Sequence, residues 1–148
     1  MERIENTAAF MEKFRLLLEE GATLTLPVQG SSMAPFLVDQ RDTVQIEKPT
    51  APLKTGDIVL YQRANGTYIL HRICAVQEYS YTLIGDAHTF RESGIKEHQI
   101  FGIVVNAQRK GITQHPGSFW WEFFARIWVR IIPLRPFLLR MYSFLTKR

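Results

Sequence analysis

The sequence is poor in cysteine and has neither repeats nor long apolar runs. Cys74 is the single cysteine among 148 residues, which excludes an internal disulfide and a zinc site built from paired thiolates. The absence of repeats and polar tracts excludes collagen-like, solenoid and largely disordered proteins. With 46% hydrophobic and 22% charged residues, the composition is typical of one globular domain with a sizeable core.

Basic residues exceed acidic residues only near the C-terminus. Residues 1–117 hold 12 Lys and Arg against 13 Asp and Glu, whereas residues 118–148 hold six against one. Because the main part of the chain has no excess of positive charge, we expect no nucleic-acid partner. No phosphate-binding loop, dinucleotide fingerprint or HExxH motif is present, so we expect no cofactor and no metal ion.

The first 22 residues form an N-terminal unit that we expect to be helical. Apolar residues recur at three- and four-residue steps over residues 3–20, as at Ile4, Met11 and Leu18, and Gly21 follows as a helix terminator. Charged residues interrupt any apolar stretch here, so we expect neither a signal peptide nor a leading membrane span. Without an export signal, we expect the protein to stay on the cytoplasmic side.

Residues 23–112 have a different periodicity, because apolar residues now alternate with polar ones. Runs such as TVQIE, DIVLYQ, TYILHRICAVQ and QIFGIVVNAQ are rich in β-branched and aromatic residues and are bounded by turn residues. Asn65 and Gly66 separate two of these runs and predict a two-residue type I′ hairpin. The pattern predicts a mainly β domain.

Residues 118–148 are rich in aromatic residues and arginine, and Pro133 and Pro136 divide them into two short amphipathic helices. An arginine recurs every four or five residues, so a simple membrane span is not expected. We expect the segment to bind an anionic membrane surface through its aromatic residues and basic charges. The alternative is that the helices pack on the β domain with the arginines reaching solvent. The aromatic cluster comprises Trp120, Trp121, Phe123, Phe124 and Trp128.

The segment Gly30–Pro35 reads GSSMAP and follows a predicted strand. Turn chemistry alone explains Gly, Ser and Pro at these positions. However, GSSMAP resembles the G-x-S-M-x-P nucleophile box of the type I signal peptidases and the LexA-like self-cleaving repressors. The segments LKTGDIVLYQ, YILHRICAV and LIGDAH then resemble the family's later boxes in the same order, and the resemblance spans about residues 28–105. It implies the signal peptidase and LexA-like β fold.

The resemblance implies that Ser32 is a nucleophile and His71 is its general base. Histidine at the base position is similar to the archaeal, sporulation-type and endoplasmic reticulum signal peptidases, whereas the bacterial enzymes use lysine. A serine hydroxyl is too weak an acid to attack a peptide carbonyl unaided, and a histidine with a pKa of about 6.5 accepts its proton near neutral pH.

The other site residues are also implied by the resemblance. Asp86 is the expected orienting carboxylate, with a turn aspartate as the alternative and Glu92 as the other candidate third member. The backbone amides of Gly30 and Ser32 are the expected oxyanion donors. The resemblance also implies that two further residues of the box contact the substrate, and these are Met33 and Pro35.

We therefore expect a serine endopeptidase that cleaves a leader-like or signal-like segment of a precursor peptide or protein. It should use no cofactor and should be membrane-associated through residues 118–148. Two alternatives stay open. One is a noncatalytic relative that binds an extended peptide or a partner, and the other is a self-cleaving regulator.

Overall fold

A computed structural model describes residues 2–146 of the chain and the side chains of residues 8–145. The sequence analysis placed Ile4 in the pattern of the N-terminal helix and counted Lys147 and Arg148 in the basic segment. The side chain of Ile4, and Lys147 and Arg148 as a whole, lie outside this description.

The described chain is mainly antiparallel β structure, preceded by one helix and followed by helical segments. Helix α1 spans Glu2–Glu19. The strands are β1 (Leu24–Pro27), β2 (Thr43–Glu47), β3 (Ile58–Gln62), β4 (Tyr68–Val76), β5 (Tyr81–Ile84), β6 (Glu92–Ile95), β7 (Ile100–Arg109) and β8 (Ile112–Gln114). Seven of them form one sheet in the order β1-β2-β7-β3-β4-β5-β6, and β8 pairs with β7. The prediction of a mainly β domain preceded by a helix is therefore confirmed.

Strand β3 lies inside the sheet and is buried on both faces. Its residues Ile58 and Leu60 belong to one hydrophobic cluster, while Val59 and Tyr61 belong to a second. Because successive side chains of a strand point to opposite faces, the two clusters lie on the two sides of this part of the sheet. The first cluster also contains residues of α1 and of the C-terminal segment.

Helix α1 packs on the first cluster through one face. Met11, Phe14 and Leu18 are buried, whereas Phe10 and Leu17 are exposed. The helix ends as the sequence predicts, because Gly21 has a φ of 96° and its amide donates to the carbonyl of Leu18.

The hairpin between β3 and β4 forms as predicted, but its turn is longer than two residues. Gln62 pairs with Tyr68, and the loop closes through a hydrogen bond from the amide of Arg63 to the carbonyl of Thr67. Gly66 has a φ of 91°, whereas Asn65 does not have a positive φ. A type I′ turn needs positive φ at both central residues, so the predicted turn type is wrong.

The C-terminal segment is a chain of short helical turns. Helix α2 spans Phe119–Glu122, a π-helical turn spans Phe123–Ile127, and two 3-10 turns span Trp128–Arg130 and Ile132–Leu134. Helix α3 spans Arg135–Thr146. No helix within residues 2–146 has the length and apolar character needed to cross a bilayer.

The first part of this segment packs on the sheet, which is the alternative that the sequence left open. Phe124, Trp128, Val129 and Ile132 are buried, and Phe124 and Trp128 join the first hydrophobic cluster. These two rings are therefore not available to a membrane, contrary to the expectation for the whole aromatic cluster. The exposed apolar residues lie mostly at the two ends of the segment, in α2 and α3.

Candidate active site

Ser32 lies in the turn that follows β1, next to the turn that follows β5. The amide of Ala87 donates a hydrogen bond of 2.9 Å to the carbonyl oxygen of Ser32. The Ser32 side chain is partly exposed, and within residues 2–146 its hydroxyl has no hydrogen-bond partner. A nucleophile must be reachable by its substrate, and this position satisfies that requirement.

Gly85 lies where the segments that carry Ser32 and His71 meet. A methyl group placed on Gly85 would lie 2.5 Å from the carbonyl oxygen of Ser32 and 3.1 Å from Nε2 of His71. It would also lie 2.8 Å from Nδ1 of His88. Only a residue without a side chain allows such an approach, so the fold brings the two expected catalytic residues to one place.

His71 lies in the middle of β4, paired with Val59 of β3, and its side chain is 5% exposed. Burial lowers the pKa of His71 to about 4, and the neighbouring His88 and Arg63 act in the same direction. The imidazole is therefore neutral at pH 7 and has one unprotonated nitrogen. The structure puts this pKa below the value of about 6.5 expected from the sequence.

The Nδ1 atom of His71 faces the hydroxyl of Tyr61, with 3.3 Å between the two atoms. The Tyr61 hydroxyl donates a hydrogen bond of 2.6 Å to Oε1 of Glu92. Arg63 donates to both oxygens of the same carboxylate. The Glu92 side chain is thus connected to His71 through one tyrosine and not directly.

Asp86 does not occupy the position expected of an orienting carboxylate. Both of its oxygens accept hydrogen bonds of 2.8 Å from the guanidinium of Arg72, and both side chains are almost fully buried. Arg72 follows His71 in β4, so the two side chains point to opposite faces of the strand. Asp86 is therefore bonded on the face opposite His71, and the expected hydrogen bond between Asp86 and His71 is not among those of the described residues.

One of the two expected oxyanion donors is already occupied. The Gly30 amide donates a hydrogen bond of 2.8 Å to the carboxylate of Asp39, so the expectation for Gly30 is wrong. The amide of Ser32 donates to no acceptor within the described part of the chain. The amide of Ser32 therefore stays available to a developing oxyanion.

The side chains of Met33 and Pro35 do not line a substrate surface. Met33 is 2% exposed and belongs to the first hydrophobic cluster, and Pro35 is also buried. The expected substrate contacts of these two residues are corrected accordingly. The Met33 side chain instead packs in the core and anchors the turn there.

The C-terminal segment holds the turn that contains Gly85 and Asp86. The indole N–H of Trp128 donates a hydrogen bond of 2.7 Å to the carbonyl of Asp86. The guanidinium of Arg135 is fully buried and donates to the carbonyls of Gly85 and His88. A buried guanidinium needs such acceptors, so this segment is part of the support of the site.

The roles of Tyr61, Trp128 and Arg135 at this site were not predicted from the sequence. Tyr61 could have been found from the predicted hairpin, because it pairs with Ile69 and His71 lies two residues further along the same face. No comparable local signal marks Trp128 or Arg135, because their hydrogen bonds to the turn at residues 85–88 span more than 40 positions in sequence.

No cluster of three or more metal-ligating side chains occurs within the described residues. Comparison of the chain with models of known protein families, with curated proteins and with solved structures gave no match. The functional argument therefore depends on the side chains that the fold brings together around Gly85.

Proposed function

We propose that this chain is a serine endopeptidase of the signal peptidase and LexA-like type, with Ser32 as nucleophile and His71 as general base. The observation that carries the proposal is that the backbone carbonyl of Ser32 and Nε2 of His71 both lie within about 3 Å of one methyl position on Gly85, although the Ser32 hydroxyl and His71 share no hydrogen bond among the described residues. A second support is the burial of His71, which keeps the ring neutral so that Nε2 can accept a proton. The four sequence boxes supply the reaction class.

The reaction follows from these two groups. The Ser32 oxygen attacks the carbonyl carbon of the scissile peptide bond while Nε2 of His71 takes the hydroxyl proton. The imidazolium then gives this proton to the amine nitrogen as the C–N bond breaks, which leaves an acyl-enzyme. Water attacks the ester carbon, His71 takes one water proton and returns it to the Ser32 oxygen, and the carboxylic acid product leaves.

The substrate class is proposed from the resemblance. It is a leader-like or signal-like segment of a precursor, with small residues before the cleaved bond. The free amide of Ser32 would bind the oxyanion of each tetrahedral intermediate. A peptide can approach Ser32 because this side chain, unlike Met33 and Pro35, reaches the surface.

A serine-directed fluorophosphonate probe and a set of leader-like peptides test the proposal. The intact protein should be labelled at Ser32 and should cleave at least one peptide. Ser32→Ala and His71→Ala should each lower turnover by roughly 10³-fold or more, and the double variant should be little worse. Ser31→Ala, which changes the adjacent exposed serine, is the matched control.

Two results would reject this function. One is cleavage by Ser32→Ala at the rate of the unmodified protein. The other is the absence of both labelling and cleavage in a folded protein, which would favour a noncatalytic peptide-binding relative.

We further propose that helix α3 binds the surface of an anionic membrane. One face of α3 exposes apolar residues at helical spacing, whereas Leu138 and Leu139 are partly buried and pack against the core. The exposed residues of this face are Phe137, Met141, Phe144 and Leu145, and the exposed Leu134 precedes them in the last 3-10 turn. Basic side chains exposed along the same segment are complementary to anionic head groups, and these are Arg126, Arg130 and Arg140. The site would then work beside a membrane surface.

A further inference from the structure

Tyr61 and His71 share one face of the β3–β4 hairpin. Tyr61 pairs with Ile69, and His71 stands two residues further along β4, so the two rings are diagonal neighbours. Their centroids are 6.1 Å apart, and both side chains are buried. A polar group buried at this place needs a partner, and the Tyr61 hydroxyl has two, Nδ1 of His71 and Oε1 of Glu92.

The protons available on Glu92, Tyr61 and His71 determine which atom donates in each of these two hydrogen bonds. Arg63 and Tyr61 hold the pKa of the Glu92 carboxyl below its usual range, so Glu92 is ionised and only accepts. The single proton of the Tyr61 hydroxyl therefore points to Glu92, at 2.6 Å. The oxygen of Tyr61 can then only accept from His71, which puts the imidazole proton on Nδ1.

We propose that Tyr61, held by Glu92, is the residue that positions His71 and fixes its tautomer for catalysis. The inference rests on the proposed function, because it assigns the partner of the general base. With the proton on Nδ1, the lone pair is on Nε2, the nitrogen that faces Gly85 and the Ser32 segment. A tyrosine linked to a carboxylate thus takes the place that an aspartate takes in a Ser-His-Asp triad.

Tyr61 can orient His71 while remaining a neutral phenol, because the negative charge of the pair is on Glu92. Burial and Glu92 raise the pKa of Tyr61, so its hydroxyl stays protonated. When His71 becomes an imidazolium, its Nδ1–H bonds to an oxygen that Glu92 polarises. Arg63 compensates the Glu92 carboxylate from the other side, so the negative charge felt by His71 is smaller than that of a directly bonded carboxylate.

Long-range ¹H–¹⁵N correlation of the histidine rings tests the tautomer without any substrate. In the full chain at neutral pH, His71 should be protonated at Nδ1 only. Tyr61→Phe keeps the ring and removes the acceptor, so a mixture of the two tautomers should appear. Glu92→Gln leaves Tyr61 in place with an amide oxygen to bond to, so the Nδ1 tautomer should persist.

Measurements of kcat, KM and the pH profile then distinguish a positioning role of Tyr61 from a merely structural role. Tyr61→Phe should lower kcat roughly tenfold or more with little change in KM, because one hydrogen bond to the general base is lost. Glu92→Gln removes a charge that favours the imidazolium, while Arg63 and His88 remain to disfavour it. The acid limb of kcat/KM should therefore move to lower pH. Tyr68→Phe, which changes another partly buried tyrosine of the same hairpin, is the matched control and should change neither quantity.

Different results would reject the peptidase function and the positioning role of Tyr61. An unmodified protein that cleaves nothing while its His71 spectrum shows the Nδ1 tautomer would reject the peptidase and retain the positioning contact. An active protein in which Tyr61→Phe keeps the original tautomer and kcat, and Glu92→Gln keeps the original pH profile, would reject the role of Tyr61. An Nε2-protonated His71 in the unmodified chain would reject it as well. If Tyr61→Phe fails to fold, Glu92→Gln and the spectrum of the unmodified protein decide.

Discussion

The carbonyl oxygen of Ser32 and Nε2 of His71 both lie against Gly85, at 2.5 Å and 3.1 Å from the position that a methyl group on this residue would take. The Ser32 carbonyl also accepts the amide of Ala87, so the nucleophile turn is tied to the turn after β5. This arrangement makes the position of the nucleophile dependent on a segment 50 residues later in the chain. The predictions below follow from it and from the contacts that surround it.

Gly85→Ala should displace Ser32, His71 or both. The added methyl would meet the Ser32 backbone at 2.5 Å, and backbone cannot turn aside as a flexible side chain can. We expect a loss of about 1–3 kcal/mol in the free energy of unfolding and a larger proportional loss of peptidase activity. Chemical denaturation and peptide turnover measure the two effects. Thr89→Ala, an exposed change in the same turn, should be neutral; equal activity of both variants would contradict the close approach.

The activity should persist to lower pH than an ordinary histidine base permits. Because burial lowers the pKa of His71 to about 4, the acid limb of kcat/KM should lie below 6.5 and toward 4. Among the groups around His71, His88 and Arg63 lower its pKa further and Glu92 raises it, while the Tyr61 hydroxyl faces its Nδ1 atom. A profile that falls by half near pH 6.5 or above would contradict the burial of the base.

The same pKa makes the stability of the fold depend on pH. The folded state disfavours the proton on His71, so its contribution is present above about pH 6.5, the unfolded value, and is lost as the pH falls toward 4. Burial also lowers the pKa of His88, which acts in the same direction. Replacing His71 with Gln should flatten the fall of the melting temperature between pH 6.5 and 4, whereas replacing the exposed His98 should not.

Asp86→Asn should act mainly on stability. The change leaves the buried guanidinium of Arg72 without its anionic partner, which costs about 3–5 kcal/mol. Glu122→Gln breaks the exposed ion pair with Arg126 and should change stability by less than about 1 kcal/mol. If the folded Asp86→Asn protein instead keeps its stability and shifts the acid limb of activity, Asp86 acts on His71 after all.

Folding should require the part of the C-terminal segment that ends at Arg135. A chain of residues 1–117 lacks the buried rings of Phe124 and Trp128 and should fail to fold. A smaller change gives a finer test: Trp128→Phe removes the N–H bonded to Asp86 and part of a buried ring, and should cost about 2–4 kcal/mol. Trp120→Phe, at a partly exposed indole, is its control. A stable, active 1–117 chain would contradict the packing.

Binding of α3 to lipid should be separable from folding. Phe137→Ser with Phe144→Ser should abolish sedimentation with anionic vesicles while the melting temperature stays the same, because both rings are exposed. Salt should weaken binding of the unmodified protein without abolishing it. Tyr79→Ser, at an exposed ring distant in sequence, is the control. Unchanged sedimentation, or a concentration-dependent dimer without lipid that the double change disrupts, would reject the membrane surface.

The sequence predicted those features that depend on local pattern. Alternation of apolar residues located the strands, and the Asn65-Gly66 pair located the hairpin although not its turn type. The four boxes selected Ser32 and His71, which the fold does bring to one place. These features follow from residues close together in the chain, where backbone geometry and side-chain periodicity are sufficient.

The partners of these residues were decided by tertiary structure alone. Asp86 bonds to Arg72 because neighbouring side chains of β4 point to opposite faces, and the buried guanidinium takes the carboxylate on its own side. The Gly30 amide is occupied by Asp39, and His71 finds Tyr61 instead of a carboxylate. The partners of Asp86 and His71 depend on which buried polar groups long-range pairing brings within about 3 Å, since a buried polar group must bond to a neighbour. No sequence pattern within one segment predicts these hydrogen-bond partners.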